Sequence, residues 1–157
     1  MRFKSVAIAL VIAASLMRWL GPRPALVVYA GNHRPMSTIS VPQGFSISYI
    51  HSINLSPVDE EFSIDAQGDI VLERMLFNQL STGMPSGDEE GFAVEGGRFV
   101  TRPLRHFREI QLRVSPVAGH TMSAGKKLQP LTRWAPVGGL LILRSAPLPT
   151  VKQSPQP

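Results

Sequence analysis

A chain of 157 residues, 43% hydrophobic and 17% charged, is long and apolar enough for one folded domain, which excludes an intrinsically disordered protein. The absence of cysteine excludes disulfides and thiolate metal sites. The net charge of +5 lies in residues 1–34, which carry five basic residues and no acidic one, so the remainder is balanced and no nucleic-acid partner is expected.

The chain begins with a basic and then an apolar segment. Arg2 and Lys4 precede an uncharged run at residues 5–17, an order typical of a signal peptide or a signal-anchor. No small-residue cleavage site follows at the usual distance, which favours the uncleaved anchor. The sequence therefore predicts an N-terminal apolar helix within residues 1–22, a signal-anchor or signal peptide. It would hold the protein at the inner (cytoplasmic) membrane with the domain on the periplasmic or extracellular side.

Residues 25–145 are predicted to form one β domain, because 13 glycines and 14 prolines disfavour long helices and suit short strands joined by turns. The expected fold class is all-β, as a single small β-sandwich or partly open barrel of short antiparallel strands. The predicted strands are 26–29, 36–41, 45–51, 58–64, 69–77, 92–94, 98–101, 110–114 and 140–143, with weaker ones at 120–122 and 127–131. Residues 146–157 are rich in proline and poor in apolar side chains, so a disordered tail is expected.

Charge within the domain is polarised along the chain. Residues 59–95 hold ten acidic side chains against Arg74, and residues 98–152 hold ten basic ones against Glu109. The favoured interpretation is that the two segments complement each other across paired strands, and the alternative is a charged partner.

The densest polar chemistry lies in the stretch from Phe45 to Phe62. A period of two places Tyr49 and His51 at the end of an apolar stripe on one strand face. The same alternation places Glu60 at the end of an apolar row, where a buried carboxylate needs a partner such as Tyr49, His51 or an arginine. Two roles stay open for this corner, which are a polar knot that fixes the turn between two strands and a ligand contact.

No catalytic residue, metal or cofactor is expected from these patterns. The four histidines have no ligand spacing that a helix or hairpin would enforce. His51 and Ser52 are adjacent in a strand and so point to opposite faces, where they cannot act as base and nucleophile. Neither a nucleophile elbow nor a phosphate-binding glycine loop is present, so the chain is not expected to be an enzyme.

Three motifs together resemble a bacterial domain-of-unknown-function family commonly encoded beside TAXI-type TRAP transporters. They are YIHS at residues 49–52 with PVDE at 57–60, GMP at 83–85 and GHTM at 119–122. The resemblance runs from about residue 26 to residue 143. In one departure, the loop motif of the family usually reads Gly-Ala-Gly-Leu-Pro, and this chain has Ser81 in place of the first glycine.

The resemblance implies a noncatalytic, membrane-anchored extracytoplasmic domain that is accessory to a TRAP/TAXI-type solute transporter, through its membrane subunit or its solute-binding protein. It marks seven residues as a polar corner or ligand contact, namely Tyr49, His51, Ser52, Glu60, Gly83, Pro85 and His120. One alternative is a structural or envelope-interaction protein unrelated to transport. Another is a metal or small-molecule binder centred on His51 and His120.

Overall fold

The computed structural model describes residues 24–85 and 91–147. In these ranges the regular elements are twelve strands and one short 3₁₀ helix, Leu131–Arg133. The strands are β1 (Pro24–Ala30), β2 (Pro35–Ser40), β3 (Phe45–Ile50), β4 (Pro57–Ile64), β5 (Ile70–Phe77), β6 (Ala93–Glu95), β7 (Arg98–Thr101), β8 (Arg105–Phe107), β9 (Ile110–Arg113), β10 (Thr121–Ala124), β11 (Lys127–Pro130) and β12 (Leu140–Pro147). The all-β prediction is confirmed.

The strands form two antiparallel sheets. The smaller has the order β2-β1-β12-β9, and the larger has the order β11-β10-β3-β4-β5-β7-β6, with β8 also paired to β5. Strand β8 was not predicted, because Arg105-His106-Phe107 is short and shows no apolar alternation. The predicted N-terminal apolar helix falls outside the described residues. Among residues 24–85 and 91–147, no helix is long and apolar enough to cross a membrane.

The first and last strands lie side by side. In the register of β1 and β12, Pro24 is opposite Pro147 and Ala25 is opposite Ala146. Residues 146 and 147, expected to begin the disordered tail, therefore belong to a strand, because their backbone pairs with the start of β1. The rest of the predicted tail, residues 148–157, lies outside the described part of the chain.

Both sheets contribute to one hydrophobic core. Leu26 of β1 and Leu141 of β12 lie in the same buried cluster as Ile47 of β3. The rings of Phe45 and Phe62, opposite each other on β3 and β4, are stacked with centroids 5.0 Å apart. Burying side chains of this size contributes about 1.5–3 kcal/mol each, and this shared burial holds the two sheets together.

The strand registers define two ends of the domain. At the entry end, the chain enters β1 at Pro24 and leaves β12 at Pro147, beside the turns at residues 41–44, 65–69 and 125–126. At the opposite end, which we call the loop end, are the connections at residues 51–56, 78–85 and 115–120.

Ion pairs connect the acidic and basic segments of the chain. Asp59 on β4 binds Arg98 on β7 at 2.6 Å, and Glu95 on β6 binds Arg102 at 2.6 Å. The interpretation that the two segments complement each other is therefore supported by direct contacts.

Candidate functional site

Glu60 lies on the core-facing side of the larger sheet. It is opposite Ile47 on β3 and opposite Met75 on β5, so the regular alternation of β4 turns its carboxyl group inward. Tyr49, two residues beyond Ile47 on β3, donates its hydroxyl to Oε1 of Glu60 at 3.2 Å. The sequence left Tyr49, His51 or an arginine as possible partners of Glu60, and in the structure the partner is Tyr49.

Burial controls the protonation of this pair. It raises the pKa of Glu60, and the hydrogen bond from Tyr49 opposes that rise without cancelling it. Burial also raises the pKa of the Tyr49 phenol, and the Glu60 carboxylate raises it further. Tyr49 therefore stays a neutral hydrogen-bond donor at pH 7.

His120 completes the cluster from the loop before β10. Its ring packs against Tyr49 with centroids 5.5 Å apart and planes inclined by 41°. The backbone N–H of Ser115 donates to His120 Nδ1 at 3.4 Å, which places the ring proton of the neutral form on Nε2. Burial lowers the pKa of His120, which favours this neutral form. We call Tyr49, Glu60 and His120 the polar corner.

His51 acts through its backbone at the start of the 51–56 loop. Its N–H donates to Ser56 O at 2.9 Å, and its carbonyl accepts from Leu55 N at 2.9 Å. The imidazole Nδ1 is buried with no hydrogen-bond partner among the described residues. Ser52 is exposed in the turn that follows. Within the described ranges, neither residue bonds a side chain of the polar corner.

Gly83 and Pro85 lie in the 78–85 loop rather than in the polar corner. Met84 N donates to Ser81 O at 2.9 Å, and Gly83 has φ of +84° at the third position of this turn. A positive φ at the third position of a turn favours glycine, so Gly83 is the glycine of the family motif that the turn requires. Ser81 stands at the first position of the turn, where serine is common. The loop connects to the 51–56 loop by a bond of 3.4 Å from Asn54 Nδ2 to Gln79 O.

In the polar corner, Tyr49 donates to Glu60 and the His120 ring packs against Tyr49. In the described parts of the chain, no serine or threonine hydroxyl donates to His51 or His120. The members of the polar corner are a largely buried carboxyl group whose pKa is raised, a phenol that donates to it and an imidazole that packs against the phenol. This arrangement suits a brace between β3, β4 and β10.

Two polar features were missed by sequence reasoning. The first is Thr101, which is 1% exposed, lies opposite Met75 in the same cross-strand row as Glu60, and has no partner for Oγ1 among the described residues. No pattern near Thr101 in the sequence indicates its burial beside Glu60, because the two residues come into one row only when β4, β5 and β7 are paired.

The second missed feature is a group at the entry end, where possible ligand atoms of Asp65, Asp69 and His106 lie within 4.8 Å of one another. Asp65 Oδ1 accepts from the N–H groups of Gln67 and Asp69, and Oδ2 lies 3.1 Å from His106 Nδ1. These bonds hold the β4–β5 turn to β8. His106 is exposed and is bonded to Asp65.

The sequence model of one protein family, described as a domain of unknown function and designated DUF1850, matches residues 45–131, more than half of the chain. The chain belongs to the DUF1850 family. No curated protein matches it, and no solved structure does. The DUF1850 match begins at the start of β3 and ends after β11, so it contains all seven predicted site residues and leaves β1, β2 and β12 outside.

Proposed function

We propose that this DUF1850 chain is a noncatalytic, membrane-anchored extracytoplasmic domain that assists a TRAP/TAXI-type solute transporter. In this proposal the segment before Pro24 anchors the domain at the inner membrane, on its periplasmic or extracellular side. The transporter component that it contacts is the membrane subunit or the solute-binding protein. The motifs at residues 49–60, 83–85 and 119–122 support the link to transport by their resemblance to proteins encoded beside such transporters.

The frame that we infer for this function is a β-sandwich. Its support is the single core cluster, to which β1 and β12 of one sheet and β3, β4 and β5 of the other all contribute. Such a frame holds loops at its two ends on rigid strands, and loops of this kind commonly carry binding function.

The observation that carries the proposal is the exposure of apolar side chains at the loop end. Ile53 and Leu55 in the 51–56 loop are 64% and 67% exposed, and Leu80 and Val117 in the two neighbouring loops are also exposed. The loops are tied together by the Asn54 bond to Gln79 and by Ile50 N donating to Ala118 O at 2.8 Å. Large apolar residues gathered on one surface are typical of a protein contact.

The position of this surface supports a partner away from the bilayer. Pro24 is at the entry end, and the seven residues of β1 separate that end from the loop end by roughly 20 Å at about 3.3 Å per residue. An anchor before Pro24 would therefore direct the loop end away from the membrane. This supports the solute-binding protein as the partner over the membrane subunit.

The polar corner then has a supporting role. Tyr49 and His120 lie where β3 and β10 reach the loop end, and the Glu60 bond ties β3 to β4 at the base of the 51–56 loop. The corner holds the loops in place, and the apolar side chains make the contact.

The test is affinity capture of the full-length protein from native membranes, followed by identification of the neighbouring transporter's subunits. We expect the solute-binding protein to be recovered, and we expect Leu55→Asp to abolish recovery. Leu104→Asp is the matched control, since Leu104 is also an exposed leucine, at 59%, with positive φ, but lies on the β7–β8 loop. Recovery of no transporter component, or equal losses in both variants, would refute the proposal.

A further inference from the structure

A groove of about 600 Å³ lies between the edges of the two sheets. One side is β2, the edge strand of the smaller sheet, and the other is the β10–β11 hairpin, which ends the larger sheet. This volume is typical of sites for small ligands. The groove is separate from the polar corner and from the loop end, and no residue of the proposed transporter contact lines it.

The groove is bordered by backbone as well as by side chains. Four consecutive residues of β2, from Ser37 to Ser40, line it, and so do four consecutive residues of the hairpin, from Ala124 to Lys127. Because neighbouring residues of a strand point to opposite faces, a run of this kind means that the strand edge borders the groove. The outer edge of β2 pairs with no described strand, which leaves backbone N–H groups there as donors.

The charge of the groove has one sign. Lys126, Lys127 and Arg133 line it, and no acidic residue does. Among the described residues none of the three forms an ion pair, whereas Arg74, Arg98, Arg102 and Arg144 are all paired with carboxylates. Thr38 and Ser40, which share one face of β2, carry hydroxyls that add further donors.

We propose that this groove is an anion-binding site for a phosphate or carboxylate group. Cationic side chains, hydroxyls and strand-edge N–H groups are the donors that bind such oxygens most strongly. The anion is borne by a small solute or by a lipid headgroup. The groove begins at the entry end, where Val41 N donates to Pro24 O at 3.0 Å beside the lining residue Pro42, so both sources can reach it. This proposal goes beyond the transporter contact and does not depend on it.

The test is calorimetric titration of the full-length protein in neutral detergent. The probes are inorganic phosphate, citrate, and the short-chain lipids dihexanoyl phosphatidylglycerol and dihexanoyl phosphatidylcholine. We expect saturable binding of at least one anionic probe and none of the zwitterionic lipid. Binding of phosphate or citrate assigns the site to solutes, and binding of phosphatidylglycerol alone assigns it to headgroups.

Two matched variants separate a site from general attraction. Removing the three groove cations, in Lys126→Ala/Lys127→Ala/Arg133→Ala, is expected to weaken binding at least about tenfold. The control Arg34→Ala/Arg105→Ala/Arg108→Ala removes the same charge from exposed arginines outside the groove and should change affinity less than about threefold. All six side chains are exposed, and thermal unfolding checks that both variants fold.

A third variant keeps every cation. Thr38→Glu places a carboxylate on the β2 side of the groove and is expected to compete with the anion and weaken binding about tenfold. Equal losses in the two triple variants, or no saturation by any anionic probe up to about 10 mM, would overturn the proposal.

Discussion

Asp59 and Glu60 are neighbours in the sequence, but their carboxyl groups lie on opposite faces of β4 and titrate in opposite directions. Burial raises the pKa of Asp59, but hydrogen bonds from Ser48 and Arg98 and the Arg98 charge outweigh it and leave the pKa low. Burial raises the pKa of Glu60, and the single bond from Tyr49 does not compensate. A step of one residue along β4 therefore decides whether the pKa of the carboxyl group is raised or lowered.

Glu60→Gln is predicted to remove a pH-dependent cost to stability. The folded-state pKa of Glu60 lies above its ordinary value of 4.5. The contribution of Glu60 to the free energy of unfolding is therefore fully present below pH 4.5 and is lost as pH rises through the folded pKa. Glutamine keeps an acceptor for Tyr49. In urea unfolding we therefore expect the variant to gain stability relative to the wild type between pH 4 and pH 7.

Asp59→Asn is the control with the opposite sign. Its lowered pKa gives stability that is present above 3.8 and is lost as pH falls through the folded pKa, so this variant should be less stable than the wild type at pH 7 and approach it in acid. If the difference in unfolding free energy between Glu60→Gln and the wild type were the same at pH 4 and pH 7, the burial of the Glu60 carboxyl group would be contradicted.

Single strands, such as β3, are the level at which the sequence is most informative. Alternation from Phe45 to Tyr49 predicts the core face of β3. Two adjacent glycines, Gly96 and Gly97, stand between the predicted strands 92–94 and 98–101, and such a pair is typical of the hairpin turn found between β6 and β7. Pairing between strands that are distant in the sequence is not encoded locally. Nothing near Pro24 indicates β12 as its neighbour, and β8 is held by its contact with β5 rather than by its own pattern.

The same limit applies to the site. Alternation correctly turns Glu60 toward the core, but choosing Tyr49 over His51 as its partner requires the register of β3 on β4. The motif at residues 83–85 is local to a turn, and a sequence resemblance cannot show that it stands apart from the polar corner. Sequence patterns likewise do not indicate that Lys126, Lys127 and Arg133 border a groove, because β2 and the β10–β11 hairpin come together only in the folded chain.

Gly44→Ala is predicted to disrupt the turn that leads into β3. Gly44 has φ of +82°, and an added Cβ would overlap the carbonyl oxygen of Phe62. Gly97→Ala is the control, with φ of +80° and open space around the added atom. Left-handed backbone alone costs an alanine about 1–2 kcal/mol, so we expect that loss at Gly97 and more than about 3 kcal/mol at Gly44. Chemical denaturation measures both, and equal losses would show that the strand entry can move.

At the scale of the whole molecule, the two ends differ in character. The loop end exposes Ile53, Leu55 and Val117, and the entry end carries the chain termini of the described domain and the hairpin with Lys126 and Lys127. The proposed anchor, anion groove and partner contact follow this axis in order. A single rigid core between them keeps their spacing fixed.

The pairing of Pro24 with Pro147 has a topological consequence. Opposed residues of antiparallel strands have Cα atoms about 5 Å apart, so a few glycines would close the described chain into a ring. Reopening it between Gly96 and Gly97 would give a circular permutant with every strand intact. We expect it to unfold in one cooperative transition by circular dichroism. A permutant without such a transition would mean that folding requires β1 and β12 to be the first and last strands of the chain.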